Sequence, residues 1–323
     1  MSIAPTTQER REFAGKLREQ TVACRVRRAK FGVRRALSTD QIADVAEEFH
    51  ADSGVLRATK RILDTKDPAW RAVSRLLAQA KSLWKGLTVP YPEPGIRLLR
   101  RENIEMFNNQ MRAISTQLTE AKASLQEKYG ELREQARQKL GDLFDDSDYP
   151  TRIDIEFDLD WDFPSIEPPA YLKNLHPELY DQEVERIRGR FEEAVRLTEQ
   201  AFVEKFHELV AHLGERLSGG VDGKPKTFQS SSIENLNAFF EEFRKLDIGS
   251  SSQLSALIDQ AQNVVKGVTP DDLRANNHTR ERVSEQLNAV MAQIDGMMIA
   301  KPSRKFSFDD DASTETPAAS EAA

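Results

Sequence analysis

The sequence predicts a mainly α-helical protein that carries a small β-sheet. Two long stretches repeat apolar residues in steps of three and four, a spacing that places them on one face of a helix. Residues 152–163 instead alternate apolar and acidic side chains. Only a β-strand sends successive side chains to opposite faces, so a strand is expected to interrupt the helical chain. The combination predicts an α+β fold dominated by helices.

The N-terminal segment is predicted to begin with a helix over 7–20, because Thr6 and Glu9 have the spacing of a capping box. Residues 22–37 fit either a helical stripe or two strands interrupted at Gly32. We favour strands, because a basic strand here could pair with the acidic strand.

Short elements are predicted between this segment and residue 100. The patterns indicate helices over 42–49 and 55–63. A third helix begins at Asp67-Pro68, since proline is favoured at the first helical position. Prolines after Gly86 end it, and 95–99 is apolar enough to form another strand.

Two heptad-like seams predict two long helices. The first runs from Ile104 to Leu125 and continues to Leu140 after a one-residue slip, and the second runs from Val184 to Leu217. Roughly 40 residues at about 1.5 Å per residue make a rod of about 60 Å. We therefore predict a long antiparallel coiled-coil helical hairpin, with the acidic strand in its connection and the sheet at its tip.

These elements divide the chain into four predicted parts. Residues 1–100 hold the basic segment and the short helices, and 101–217 hold the hairpin with its inserted acidic strand. A loop rich in glycine and serine precedes a C-terminal helical module over 228–298. Residues 299–323 form a polar, acidic tail that is expected to be disordered.

Composition excludes several classes of function. The chain has 323 residues and a net charge of −7, which does not favour nucleic-acid binding driven by bulk charge. Cys24 is the only cysteine, which excludes an internal disulfide and a cysteine-based zinc site. With neither a signal sequence nor an apolar run of about 18 residues, we expect a cytoplasmic protein with no membrane segment.

Charge is strongly segregated along the chain. Residues 10–35 contain ten basic and two acidic residues, whereas 142–167 contain ten acidic residues and one arginine. Together the two segments form a candidate interaction surface, whose residues are Asp154, Glu156, Asp158, Asp160, Asp162, Arg25, Arg27, Arg28, Lys30, Arg34 and Arg35.

The acidic row has four interpretations. It is a solvated strand face or pairs with the basic segment, where complementary cross-strand charges contribute about 0.2–1 kcal/mol per pair. Alternatively it mimics nucleic acid, because carboxylates on every second residue lie about 6.7 Å apart. It could also dock onto a basic partner protein, or bind a metal. The internal pairing is favoured, and a straight strand suits calcium poorly, because calcium needs converging oxygens.

No motif predicts catalysis or a cofactor. His207 and His212 are five residues apart, whereas a helical zinc pair needs a separation of four. The loop from Gly219 to Lys224 lacks the spacing of a phosphate-binding loop, and Lys224 is followed by Pro225. We expect no enzyme activity, no metal and no cofactor.

Four short sequence motifs occur in this order along the chain: residues 56–63 (Leu-Arg-Ala-Thr-Lys-Arg-Ile-Leu), 91–96 (Tyr-Pro-Glu-Pro-Gly-Ile), 140–144 (Leu-Gly-Asp-Leu-Phe) and 148–150 (Asp-Tyr-Pro). Over about residues 20–215 the chain resembles an uncharacterised family of bacterial, phage and plasmid proteins of unknown function. Genes of that family often lie near those of MoxR-type AAA ATPases and von Willebrand A-type proteins. The resemblance implies an accessory or adaptor role beside such an ATPase.

The expected function is therefore non-catalytic. We expect a scaffold or adaptor that associates with itself or with a protein partner, which would use exposed seams and charged faces. The alternative is a protein that binds or mimics nucleic acid through its charged segments.

Overall fold

The computed structural model describes residues 7–218, 231–246 and 252–299. The predicted linker after residue 218 and the predicted acidic tail lie outside these ranges, apart from Ile299. Within them the helices are α1 (Thr7–Gln20), α2 (Thr39–Glu48), α3 (Pro68–Leu87), α4 (Ile104–Leu140), α5 (Leu172–Leu175), α6 (Pro177–Ser218), α7 (Ser231–Leu246), α8 (Ser252–Val265), α9 (Pro270–Ala275) and α10 (Asn277–Ile299). The strands are β1 (Thr21–Ala29), β2 (Arg34–Ala36), β3 (Thr59–Arg61), β4 (Thr88–Pro90), β5 (Ile96–Arg100) and β6 (Asp158–Asp162).

The protein is mainly α-helical with a small antiparallel sheet, as the sequence predicts. The four-stranded sheet has the order β4-β5-β1-β6, and β2 and β3 form a separate two-stranded sheet. A tight turn joins β4 to β5, in which Ile96 N donates to Glu93 O at 3.2 Å. Pro94 and Gly95 occupy its central positions, and the φ of +77° at Gly95 is the left-handed conformation that a type II turn requires.

The basic segment forms two strands, β1 and β2, and not a helix. One face of β1 carries Val22, Cys24 and Val26, and the other carries Ala23 and Arg25. Cys24 and Val26 belong to the main hydrophobic cluster or pack against it, together with residues of α3 and α4. The sheet therefore turns the first of these faces towards the two helices.

A hydrophobic cluster between α3, α4 and the sheet forms the core. Trp70 lies at its centre, with its ring 5.4 Å from that of Phe157 and 6.5 Å from that of Phe31, both edge to face. Asp67 begins α3 by accepting from Ala69 N at 2.7 Å, with Pro68 at the first position. This cap confirms the predicted start of the third helix.

The predicted coiled-coil hairpin of α4 and α6 is not confirmed. The seam of α4 is buried, but its cluster contains residues of α3 and the sheet and none of α6. Helices α3 and α4 run antiparallel. Leu83, near the end of α3, lines a groove with Ala113 in the first half of α4, whereas Asp64, just before α3, pairs with Lys139 near the end of α4. Heptad steps indicate that a helix face is buried, and they leave its partner unspecified.

The first half of the acidic row is not a strand. Residues Asp154–Glu156 form a 3₁₀ turn, and Ile155 is 63% exposed. Side chains of α4 take the backbone groups that a strand partner would bind: Gln126 Oε1 accepts from Ile153 N at 2.9 Å. Lys122 Nζ donates to Phe157 O at 2.6 Å. Only the half that begins at Asp158 pairs with another strand.

The predicted helix over 55–63 is also wrong. This stretch contains the end of a 3₁₀ turn (Ser53–Val55) and strand β3. Ile62 N donates to Val33 O at 2.9 Å and Leu37 N donates to Ala58 O at 3.0 Å, so the backbone pairs with β2 on both sides of the strand. Pairing with a neighbouring strand overrides the helical preference of Leu56, Arg57 and Ala58.

The described residues form two compact units. The first comprises 7–202 and 238–246, and the second comprises 203–218, 231–237 and 252–299. In the first unit Phe202 of α6 packs edge to face against Phe243 of α7, with ring centroids 5.0 Å apart. In the second unit α8 and α9 both pack against α10.

None of the helices in the described ranges combines the length and the apolarity that a membrane span needs.

We expect Phe107→Ala to lower the free energy of unfolding by about 3–5 kcal/mol, because the mutation leaves a cavity in a close-packed core. Phe107 is completely buried against Phe163, with ring centroids 6.3 Å apart. Phe49→Ala is the matched control, since Phe49 is 72% exposed and its loss should change stability by no more than about 0.5 kcal/mol. Urea unfolding followed by circular dichroism measures both, and equal losses would contradict this description of the core.

Candidate functional site

The candidate interaction surface contains a ladder of ion pairs between β1 and β6. The register places Arg25 opposite Asp162 and Arg27 opposite Asp160. Arg25 binds Asp162 through two parallel hydrogen bonds, from Nε at 3.0 Å and from Nη2 at 2.6 Å. Arg27 binds Asp160 and also reaches Asp162 Oδ1 from Nη1 at 3.4 Å. Four charges therefore neutralise one another across two strands, as the sequence analysis expected.

The ladder lies on the face of the sheet that points away from the main cluster. Its members alternate with Val26 and Trp161, which are opposite each other in the register and pack against that cluster. Fork-shaped pairs of this kind hold both side chains in one orientation. The ladder consequently sets which strand neighbours β6 and in which register.

The ionisation of the ladder suits a structural role. The hydrogen bonds from Arg25 lower the pKa of Asp162, and the same contact raises the pKa of Arg25. Each partner stabilises the charged form of the other, so both stay charged at neutral pH. A carboxylate that is held ionised in this way cannot serve as a general acid near neutral pH.

The other acidic residues of the surface are not part of the ladder. Asp154 binds Arg152, two residues away, and this contact lowers the pKa of Asp154. Glu156 is half-buried in the 3₁₀ turn, and Asp158 is exposed opposite Ala29. The five carboxylates therefore do not form a continuous row on one strand.

The remaining basic residues also have separate surroundings. Arg28 donates from Nη1 to Leu77 O at 3.1 Å, and Lys30 Nζ lies 5.8 Å from the ring centre of Trp70. Arg35 stacks over Phe31 at 5.1 Å. Arg34 is exposed, and within the described ranges its side chain makes no ion pair. Six cations that share one sequence segment thus have different roles.

A second ionic cluster contains residues that the sequence analysis missed. Lys60 Nζ lies 2.7 Å from Asp148 Oδ2 and donates to Leu143 O at 2.7 Å. Arg35 Nε lies 3.6 Å from the other oxygen of Asp148. The only signal for it was the alternation in residues 59–62, which is too short to distinguish a strand from a helix.

Exposed apolar side chains mark the connection between α5 and α6. Tyr171, Leu175 and Leu179 are 62%, 67% and 43% exposed. They are four residues apart, but α5 ends at Leu175, because the backbone of His176 is non-helical (φ −146°, ψ 80°) before α6 begins at Pro177. Tyr171 and Leu175 lie on one face of α5, where Leu175 N donates to Tyr171 O at 3.2 Å, and Leu179 lies in the first turn of α6 beyond the break. We refer to Tyr171, Leu175 and Leu179 as the apolar stripe.

The described residues offer no assembled metal centre. No group of three or more His, Cys, Asp or Glu side chains within them could hold a metal ion. His207 Nε2 contacts Asp295 Oδ1 at 3.1 Å, whereas His212 contacts Arg216. Burial raises the pKa of the Cys24 thiol to about 12, so it is not a nucleophile at neutral pH.

Two grooves among the described residues, one in each unit, are poor in reactive groups. A groove of 360 Å³ between α3 and α4 is lined by Gln79, Gln110 and Gln117 together with apolar and hydroxyl side chains. A groove of 630 Å³ between α8 and α10 has Asp259 as its one titratable lining residue. Neither brings together the acid, base and nucleophile that a reaction site requires.

No family model matches the chain, and no curated protein or solved structure is significantly similar to it. The resemblance to an uncharacterised bacterial family therefore stays a prediction from the sequence.

We expect Asp162→Asn to lower the thermal midpoint at neutral pH, because it leaves Arg25 without its charged partner. The pKa of Asp162 is lowered in the fold, so its contribution is present above the ordinary carboxyl pKa of 3.8 and is lost as the pH falls through the lowered value. The difference in midpoint between wild type and variant should thus be constant from about pH 7 to pH 5 and shrink below about pH 4.

Asp158→Asn is the matched control, because it removes the same charge from the same strand at an exposed position. Thermal melts of wild type and both variants across this pH range measure the effect. A midpoint difference for Asp162→Asn that equals that of the control at every pH would show that the ladder contributes nothing specific.

Proposed function

We propose that this protein is a non-catalytic scaffold or adaptor that associates with itself or with a protein partner. The observation that carries the proposal is the apolar stripe. Large apolar side chains that stay exposed at nearby positions of a chain are a recurrent sign of a protein-interaction surface. Tyrosine is among the residues most often found at the centre of such contacts.

The charges around the stripe support a specific contact. Lys173 is exposed within it, and the acidic residues Glu178 and Asp181 are exposed at its C-terminal end. An apolar centre with a charged rim is the usual organisation of a transient interface. The rim would set orientation and the rate of association, and the apolar residues would supply most of the affinity.

The charged candidate surface contributes less to this proposal than the sequence suggested. Asp160 and Asp162 are already bound by Arg27 and Arg25, so an external basic partner would have to displace them. The same pairing disfavours mimicry of nucleic acid, which needs a regular row of free carboxylates. The ladder is better understood as a structural feature of the four-stranded sheet.

The class of partner comes from the resemblance alone. It implies a MoxR-type AAA ATPase and a phage- or plasmid-associated setting, and we include both in the proposal. A single, fully buried cysteine suits a reducing compartment, and we place the protein in the cytoplasm.

We expect the triple substitution Tyr171→Ser, Leu175→Ser and Leu179→Ser to abolish association without changing the circular dichroism spectrum, because all three side chains are exposed. The wild type should exceed the single-chain mass of 36.6 kDa in light scattering at micromolar concentration, or should co-elute with a purified MoxR-type ATPase.

The double substitution Phe49→Ser and Val55→Ser is the control, because these two side chains are exposed apolar residues outside the stripe. It should behave as wild type does. A wild type that is monomeric at every concentration and does not co-elute with the ATPase would exclude the proposal.

A further inference from the structure

The sheet formed by β2 and β3 is here called the basic ribbon. The cations on one of its faces lie beside a carboxylate, and those on the other face do not. Its register places Arg34 opposite Arg61 and Arg35 opposite Lys60. Arg35 and Lys60 lie on the inner face, where both approach Asp148. Arg34 and Arg61 lie on the outer face and are exposed. The chain provides a carboxylate for the inner cations and leaves the outer ones to solvent.

The outer face of the basic ribbon is uniformly cationic and open. Ala36 and Thr59 form its other cross-strand pair, and both are small and exposed. Arg57, two residues before Thr59, is exposed as well. In the part of the chain that the structure describes, the side chains of Arg34, Arg57 and Arg61 make no ion pair or hydrogen bond. Three guanidinium groups are thus presented with all their donors free.

This arrangement works against stability in the absence of a ligand. Like charges directly opposite each other in an antiparallel pair repel. The connecting helix α2 carries Asp40, Asp44, Glu47 and Glu48, yet none of these carboxylates pairs with the ribbon arginines. The contrast with the ladder, where each arginine of the pair faces an aspartate, indicates that the outer face serves something other than folding.

A chain of ring contacts leads from the inner face of the basic ribbon to the start of α3. Arg35 stacks over Phe31, and the Phe31 ring packs against Trp70 at the start of α3. Lys30 lies over the same Trp70 ring, and the next residue, Arg71, is exposed. Arg75 follows one turn later, also exposed, and α3 contains four basic residues and no acidic one.

We propose that the outer face of the basic ribbon binds the phosphate backbone of a nucleic acid. Guanidinium groups present a fork of donors that matches phosphate oxygens. A two-stranded antiparallel ribbon also has dimensions that fit against a duplex. The net charge of the whole chain is −7, so binding of this kind would be local to one face and independent of the apolar stripe.

The test is a fluorescence anisotropy titration of the full chain with a 20-base-pair DNA duplex and with one strand of it, at 50 and 200 mM salt. The wild type should bind at low salt, with a log affinity that falls linearly with log salt. Replacing Arg34, Arg57 and Arg61 by glutamine should weaken binding on the order of tenfold or more at 50 mM. It should also make the slope less steep by about 2.7, since each phosphate contact contributes about 0.9.

The control variant replaces Arg186, Arg188 and Arg274 by glutamine, which changes net charge equally at exposed i,i+3 pairs. It should retain the wild-type slope. Equal losses in both variants, or no wild-type binding at low salt, would overturn the proposal. So would displacement of the DNA by poly-glutamate at equal charge concentration, because the face would then be a site for an acidic polypeptide.

The thermal midpoint of a single variant tests separately whether the outer face contributes to folding. Arg61→Gln alone should raise the thermal midpoint of the ligand-free protein, because it relieves the repulsion with Arg34. A lower midpoint would show that Arg61 contributes to folding, and it would overturn the argument that this face is reserved for a ligand.

Discussion

The central constraint of this structure is the position of β1 between β5 and β6. Val22, Cys24 and Val26 face α3 and α4, and Arg25 and Arg27 form the ladder with Asp160 and Asp162 on the other face. A slip of one residue would exchange the two faces and place charge in the core, so the ladder and the core specify the same register. That register brings Trp161 beside Asn108, whose Oδ1 accepts from the indole Nε1 at 2.9 Å, and so ties the sheet to α4.

The same constraint explains why charge has two roles in β1 and β2, which follow each other in the chain but belong to different sheets. In β1, Arg25 and Arg27 have aspartates opposite them, and in β2 the exposed Arg34 has Arg61 opposite it. Half-exposed pairs of the first kind contribute modestly to stability, but they define geometry. The second kind contributes nothing favourable to folding and leaves donors exposed. A segment that is uniformly basic in sequence thus becomes, through strand pairing, partly structural and partly a surface that can accept an anion.

Prediction from sequence succeeded where a pattern repeats over many residues. The buried face of α4, the cap of α3 and the strand character of residues 22–29 all follow from spacing and local chemistry. It failed where a distant side chain competes for the backbone, as Gln126 and Lys122 do at 153–157. It also failed for β3, because a three-residue strand is shorter than the window that periodicity needs. The apolar stripe and the cluster around Asp148 depend on exposure and on contacts between distant residues, which no local pattern encodes.

By itself the sequence determined the helical character of the chain, the presence of an acidic strand and the complementarity of its basic partner. These properties reside in side-chain spacing, which acts locally through the helix and strand periods. Only the tertiary structure decided that α4 packs against α3 and not α6, that half of the acidic row is a turn, and which arginines stay unpaired. The reason is physical: a buried face needs some apolar partner and a charge needs some counter-charge, and the topology of the chain selects which one lies within reach.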